Sequence, residues 1–317
     1  MAQASWQRGA ALAFVSLPDP EPKALEVRVR VRVAGVNPVD WKMRTMGPLR
    51  LAARLIGPKA PIVFGIDFMG VIDAVGSAVS TFSIGDRVAG GTIFARGQRG
   101  SAADTVCVRT DQIVKVPAHV SDDVAGCLAV TGASAKISLF DLGRLPQDGR
   151  VLVLGASGGV GQLVVQLARH ARNATVVGVC SGKNAALVRK LGCAQVIDYG
   201  AGDALVLAKE HGPYDVVVDC VGSYAGAGCR ALLGARGRHV IVSGDSALAM
   251  LQPLVPPFQS RLLLSTPKSE HLQPVMDAIA AGGVSIAIAQ RFPLEAIEQA
   301  HQLSTTGRMT GRLVLIL

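Results

Sequence analysis

Arg150-Val-Leu-Val-Leu-Gly-Ala-Ser-Gly-Gly-Val-Gly-Gln-Leu-Val-Val-Gln-Leu-Ala-Arg169 runs from an apolar, β-branched stretch through a glycine turn straight into an amphipathic helix pattern. Within it Ala156, Gly158 and Gly161 stand where a dinucleotide fingerprint has its small residues. The first serves a tight turn, the second lets backbone approach a pyrophosphate, and the third lets the helix pack on the strand. Amides at the helix start then carry partial positive charge toward the bound anion. The expected phosphate cradle is therefore Ala156, Ser157, Gly158, Gly159, Val160 and Gly161.

The same turn also reads as G-x-S-x-G, a nucleophile elbow, in Gly155-Ala-Ser157-Gly-Gly159. The residues downstream of it favour the dinucleotide. A second β-branched run, Ala174 to Cys180, ends about 20 residues past the last glycine, where the ribose-reading residue belongs. No His-Gly-Gly oxyanion segment lies upstream. A hydrolase drawing on Asp215, Asp219, His239 and His301 stays open, and fluorophosphonate labelling of Ser157 discriminates it.

The residue at the ribose position chooses the cofactor, because a carboxylate there accepts from a 2′-hydroxyl and repels a 2′-phosphate. Here Ser181 is followed by Gly182, Lys183 and Asn184, and no acid occurs between Arg150 and Asp198. NADP(H) is expected over NAD(H). The alternative is that Ser181 caps a helix starting near Lys183, whose ammonium is simply solvated.

At 317 residues and 50% hydrophobic content the chain can hold two cores, built from Val, Leu, Ile and Ala because aromatics make up only 4%. No run of 18 apolar residues is uninterrupted, so no membrane span is expected. Gly9 to Leu17 imitates a short signal core, but Pro18-Asp-Pro-Glu-Pro22 comes next, and the segment reads as a strand and its exit. The six cysteines form no C-x-x-C pair and sit in or beside apolar runs, as reduced thiols of a cytoplasmic protein do. The six histidines are scattered, and no metal is expected.

Two characters alternate along the chain. Short strands punctuated by Gly, Pro and Asp fill the stretch from Leu25 to Val116, as in Glu26-Val-Arg-Val-Arg-Val-Arg-Val33, and predict a β-barrel-type domain. From Arg150, strands at 151–155, 175–179, 195–197, 214–218, 238–242 and 261–265 alternate with helical segments, which predicts a doubly wound parallel sheet. Pro293 to Gln302 reads as a helix and Arg312 to Leu317 as a strand returning to the first domain. The expected division is 1–118 with 291–317, and 119–290.

Val33-Ala-Gly-Val-Asn-Pro-Val-Asp-Trp-Lys42, Gly65-Ile-Asp-Phe-Met-Gly70, Ile84-Gly-Asp-Arg-Val88, Gly155-Ala-Ser-Gly-Gly-Val-Gly161 and Val179-Cys-Ser-Gly-Lys-Asn184 succeed one another in order. Together they resemble the medium-chain dehydrogenase/reductase superfamily, most closely its zinc-independent quinone oxidoreductase-like and enoyl reductase branch. The resemblance implies a GroES-like β domain, a Rossmann NADPH-binding domain, a cleft between them and a homodimer. Zinc members carry a cysteine ligand and a histidine ligand where this chain has Asn37 and Ile66. Without a Lewis acid to polarise an alcohol, the chemistry implied is hydride delivery to an acceptor activated by conjugation: a quinone, an enone or an enoyl thioester.

The resemblance also places residues. The Asn37 to Lys42 loop resembles the family's site lining, so that Lys42 is expected to donate to a developing enolate oxygen, Asn37 to orient the nicotinamide or the substrate carbonyl, and Asp40 to hold Lys42. On the residues alone, Asn37-Pro38 is a turn and Lys42 a solvated charge. Thr131 matches a threonine near the nicotinamide phosphate, Tyr199 one that flanks the adenosine phosphate, and Cys220, Val221 and Ser243 lie in turns matching segments that pass the nicotinamide half. The only tyrosines, at 199, 214 and 224, lie outside the β domain, so the proton donor stays open between the protein and water. Met1 to Ala13 depart from the family's first strand and read as truncated or divergent.

Net charge is +9. Arg28, Arg30 and Arg32 alternate with valines and are expected on one solvated strand face. Lys42, Arg44, Arg50, Arg54 and Lys59 occupy a stretch without acids; Arg50 and Arg54 are the expected anionic-substrate rim, which puts a CoA thioester slightly ahead of a free enone or quinone. The alternative is that Leu49, Leu51, Leu55 and Ile56 pack a helix on the β domain while the arginines solvate it. A nucleic-acid partner is not expected, since aromatic residues for base stacking are scarce. A non-catalytic NADPH-binding protein remains the alternative outside enzymes.

Overall fold

A computed structural model describes residues 2–3, 11–45, 51, 54–55, 57, 61–243, 247–307 and 309–317. The chain forms two compact units, Met1–Ala133 with Thr266–Ala280 and Ala287–Leu317, and Ser134–Ser265 with Ala281–Ile286. The first unit thus runs on past the expected boundary at 118. The Val130 amide donates to Asp67 Oδ1 at 2.7 Å, tying the start of helix Leu128–Lys136 to the β sheet. Helix Ser269–Ala280 likewise packs on strand Ile113–Lys115.

In the first unit strand Glu26–Val36 is the organiser, pairing antiparallel with Asp67–Val75, Thr105–Arg109 and Arg312–Ile316. Its alternation is the one the sequence dictates. Val27, Val29 and Val31 are buried with Phe64, Phe68 and Ile72, while Arg28 and Arg30 meet Asp73 on the other face. Register shifts at Arg28/Val29 and Val31/Val33 let the one strand serve several partners. Arg87–Gly91 and Ile113–Lys115 extend the sheet at one edge, and Ile288–Pro293, parallel to Arg312–Ile316, closes the other. Residues 11–23 contain no run of strand, only a bridge at Ala13, so the expected strand over Gly9 to Leu17 is not formed among the described residues. The prolines at 18, 20 and 22 lack the amide a ladder needs.

The second unit is a six-stranded parallel sheet in the order Gln195–Asp198, Thr175–Cys180, Arg150–Leu154, Tyr214–Asp219, Leu233–Ile241, Ser260–Leu262. The strand after Arg150–Leu154 in the chain lies on one side of it and Tyr214–Asp219 lies on the other, which opens a crevice at their carboxyl ends. Continuous Val and Leu runs suit strands covered on both faces. Helix Gly159–Arg172 buries Leu163, Val164, Val165, Leu167 and Ala168, and ends at Asn173, whose φ of 49° closes it in the left-handed conformation. No helix of the described residues is long and apolar enough to cross a membrane.

Candidate functional site

The glycine turn has the shape its residues require. Gly155 (φ 80°) and Ala156 donate their amides to the Val179 carbonyl, and the chain enters helix Gly159–Arg172 through an extended Gly158. A Cβ on Gly161 would lie 2.2 Å from the Gly155 carbonyl, so helix and strand approach too closely for any side chain. A Cβ on Gly158 would meet only that carbonyl, at 3.3 Å, and would otherwise fill open space over the helix start. Ser157, Gly158, Gly159 and Val160 are partly exposed around that space. First-turn amides have no partner inside their own helix, so this cradle fits a phosphate group. Ser157 Oγ is held by the Asn184 amide at 3.1 Å, a donor that cannot act as the base an elbow nucleophile needs.

The neighbouring turns converge on the same end of the sheet. Cys220 donates its amide to Leu154, and Val221 and Gly222 donate theirs to Asp219 Oδ1 at 2.9 Å. A Cβ on Gly155 would meet Val221 at 2.9 Å, and one on Gly222 (φ 80°) would meet the Ser243 carbonyl at 2.2 Å. The structure thus brings Gly155, Cys220, Val221 and Ser243 together. Burial raises the Cys220 thiol above its ordinary pKa, with Asp219 adding to the rise, so the thiol stays protonated.

At the ribose turn, Ser181 precedes a short 3-10 turn, Gly182–Asn184, and its side chain makes no cap hydrogen bond, contrary to the capping alternative. Lys183 is exposed. The Tyr199 amide donates to Cys180, which fixes Tyr199 beside Ser181. The turn also has a carboxylate that the residues next to Ser181 do not reveal. Asp198 ends the adjacent strand, and a Cβ on Gly182 would lie 2.3 Å from its Oδ2. Only the parallel pairing of Asp198 with Cys180 brings it there.

In the first unit Asn37, Asp40, Asp67 and Arg312 form one buried polar cluster. Asp40 Oδ2 accepts the Asn37 amide at 2.7 Å and Oδ1 has no hydrogen-bond partner, so Asp40 closes its own loop and does not hold Lys42 as expected. Lys42 is half-buried and stands 5.7 Å over the Trp41 ring. Burial pushes the Asp40 carboxyl up to about 8 and the Asp67 carboxyl up to about 6. Arg312 Nη2 donates to Asn37 Oδ1 at 2.6 Å and lies 3.4 Å from Asp67 Oδ2. Asp67 and Arg312 are additions to the expected site. Their only sequence signals are an acid inside an apolar strand and an arginine opening another.

A dication does not fit here. Asn37 and Ile66 supply no zinc ligand, and a buried guanidinium would repel the ion. Among the described residues no group of three His, Cys, Asp or Glu side chains could hold a metal. Thr131 donates its hydroxyl to the carbonyl of Cys127, the residue just before its helix. Of the basic rim, Arg44 is withdrawn: it is buried against His301 and Glu298. Arg54 is exposed, as are Leu51 and Leu55, so those leucines do not pack a helix down; Arg50 and Lys59 lie outside the described residues.

Comparison with known proteins agrees with this geometry. The alcohol dehydrogenase GroES-like domain family matches residues 23–118 and the zinc-binding dehydrogenase family residues 191–315. The chain is 32% identical over 322 residues to a chloroplast envelope quinone oxidoreductase homolog of Arabidopsis thaliana, covering 98% of this chain and 96% of that one. It is 29% identical over 289 residues to the 2-methylene-furan-3-one reductase of Solanum lycopersicum, covering 89% and 69%. The solved quinone oxidoreductase of Coxiella burnetii superposes with a TM-score of 0.88 at 27% identity, covering 100% of this chain and 98% of that one. The chain belongs to the medium-chain dehydrogenase/reductase superfamily, among its NAD(P)H-dependent, quinone oxidoreductase-like oxidoreductases.

Proposed function

We propose that the protein is an NADPH-dependent, metal-free reductase of α,β-unsaturated carbonyl compounds, quinones included. The observation that carries this reading is the phosphate cradle of the second unit; the metal-free part is supported by Asn37, which stands at the place of a zinc ligand in the resemblance and accepts from the Arg312 guanidinium. When bound, the cofactor supplies the hydride. The cradle amides of Ser157 to Gly161 hold its pyrophosphate, and Ser181, Lys183 and Tyr199 surround the 2′-phosphate. The negative charge that develops on the acceptor oxygen is met by side-chain donors and no Lewis acid. A steady-state screen of NADPH oxidation with enones, quinones and enoyl-CoAs tests the reading; no turnover with any of them would favour a cofactor-binding role without catalysis.

Discrimination for NADPH rests on Lys183, because Asp198 under the same turn opposes a 2′-phosphate. Losing one charge-assisted hydrogen bond costs about 1.5–3 kcal/mol. Lys183→Ala should therefore raise the NADPH Kd about tenfold or more while NADH binding stays unchanged. Equal weakening of both, measured by fluorescence titration, would remove the assignment. The metal-free reading predicts full turnover in the presence of a strong chelator and, by elemental analysis, far less than one zinc per chain.

For the acceptor, enones and quinones stand ahead of a CoA thioester. The withdrawal of Arg44 into the interior thins the basic rim, and the enone reductase from tomato points the same way. The thioester reading keeps Arg54, exposed beside Leu55. It predicts that Arg54→Glu raises KM for an enoyl-CoA several-fold more than for the same enoyl group on a neutral thiol, and that salt narrows the gap, since exposed charges are screened within about 8 Å. Equal KM changes would leave the enone and quinone reading alone in the field.

A further inference from the structure

At the opposite end of the parallel sheet from the phosphate cradle, three arginines of the second unit gather. Arg238 is in register with Val216 and, through it, with Val151, near the start of strand Arg150–Leu154, whereas the cradle follows that strand's end. At about 3.3 Å per residue, roughly 10 Å of strand separates the two places. His239 and Ser260 are a registered pair whose side chains hydrogen-bond at 3.1 Å, so the next pair, Val240 and Arg261, points to the other face, which Arg238 shares by alternation. Arg238 Nη1 donates to the Leu142 carbonyl at 3.3 Å, and this brings it to the loop that carries Arg144. Arg261 Nη1 donates to the carbonyls of Phe258 and Ser260. Both thus spend one nitrogen on backbone and keep Nε and Nη2 without a hydrogen bond among the described residues. Arg238 and Arg261 are half-buried and Arg144 is exposed. None of the three forms an ion pair among the described residues; the acids nearest to Arg144 in the chain are engaged elsewhere, Asp141 with Lys136 at 2.8 Å and Asp148 with the Asn173 side-chain amide at 2.8 Å.

We propose that Arg144, Arg238 and Arg261 form a binding site for a phosphate group carrying two charges, free or on a small soluble ester, separate from the cofactor turns. Three like charges gathered on one face repel one another. Burial, with the charges of Arg144 and Arg261 adding to it, lowers the Arg238 pKa from its ordinary value, as guanidiniums within each other's field require. A dianion among them turns that repulsion into attraction, and the planar forks offer it paired N–H donors. A carboxylate has two oxygens and suits one fork, whereas a phosphate presents three acceptor oxygens and can meet all three residues. The bonds to Leu142, Phe258 and Ser260 hold two of the forks in place beforehand, so little side-chain freedom is lost on binding. Arg144 completes the site from the loop. Its φ of 54° is a left-handed conformation that glycine or asparagine adopts more readily, so the arginine contributes charge there and not turn geometry.

Inorganic phosphate tests the site by calorimetric titration at about pH 8, where it is mostly the dianion, with ionic strength held constant by chloride. Wild-type protein should bind it, and Arg144→Gln should weaken that binding about tenfold or more. Arg144 is exposed and makes no hydrogen bond among the described residues, so this variant should keep the wild-type urea midpoint. Arg238→Gln should weaken binding to a similar degree, methyl phosphate should compete, and acetate at the same concentration should not. The binding lost in Arg144→Gln should survive in Lys183→Ala, which alters only the ribose turn. A wild-type protein that takes up no inorganic phosphate, an affinity indifferent to both arginine variants, an affinity lost in Lys183→Ala alone, or equal competition by acetate would each overturn the site. Capture of the protein by vesicles containing phosphatidic acid, without binding of inorganic phosphate, would overturn the soluble ligand. None of these results bears on the reductase reading, which NADPH oxidation tests separately.

Discussion

Gly161→Ala should destabilise the second unit and Gly158→Ala should not, although both lie in the same turn. A Cβ at 161 meets the Gly155 carbonyl oxygen at 2.2 Å and backbone carbons of Gly155 and Ala156 at 2.9 Å, none of which can swing aside as a side-chain tip would. Helix Gly159–Arg172 must then lift from strand Arg150–Leu154, at a cost of about 1–3 kcal/mol and the upper end of that range here. At position 158 the nearest atom is 3.3 Å away and the backbone is extended with φ −78°, which any residue adopts. That methyl group instead occupies space through which a pyrophosphate would approach the amides. Gly158→Ala should keep its urea midpoint within a few tenths of a molar of wild type while its NADPH Kd rises about tenfold or more. If Gly158→Ala binds NADPH as wild type does, the turn is not a phosphate cradle and the glycines serve packing alone.

The contrast between the two glycines also bears on what a sequence reveals. Strand, turn and helix at Arg150 to Arg169 are local features, fixed by β-branched residues, small residues and a 3.6-residue apolar period, and the family signatures are likewise local runs. Such features are legible along the chain. Asp198 is not, because its position under Gly182 depends on the pairing of two strands that lie 15 and more residues apart in the chain. Arg312 reads as the first residue of a returning strand, but its partner Asn37 is 275 residues away, a distance over which no periodicity operates. Arg44 stands among cations in the sequence and so resembles a rim residue. It points inward because His301 and Glu298 on helix Ile297–Thr305 offer it an acceptor and a counter-charge. The expected Asp40 to Lys42 link fails for a related reason: Asp40 lies three residues after Asn37, the spacing at which a carboxylate reaches back to cap the amide that starts a helical turn.

Asp40→Asn should make the protein more stable, and increasingly so as pH rises. Burial is the largest influence on this carboxyl; Asp67 adds to it, the Asn37 amide and Arg312 oppose it, and together they push its pKa from 3.8 up to about 8. Between those two values the folded protein holds a proton that the unfolded chain has released. Stability from this group is therefore fully present below about pH 3.8 and is lost progressively as pH rises through about 8. The slope within that window is about 1.4 kcal/mol per pH unit for one proton. Asparagine cannot ionise, keeps a carbonyl oxygen to accept the Asn37 amide at the place where Oδ2 accepts it at 2.7 Å, and removes the slope. Urea unfolding of the two proteins should give similar free energies near pH 5 and a gap in favour of Asp40→Asn of roughly 2–4 kcal/mol by pH 8. Asp67, with its pKa raised to about 6, titrates in both proteins, so the difference between the two curves reports Asp40 together with its coupling to Asp67. Parallel curves from pH 5 to 8 would mean that Asp40 is already ionised in the folded state. The buried cluster would then carry two carboxylates against one guanidinium, and the unpartnered Oδ1 would have to be solvated by an internal water.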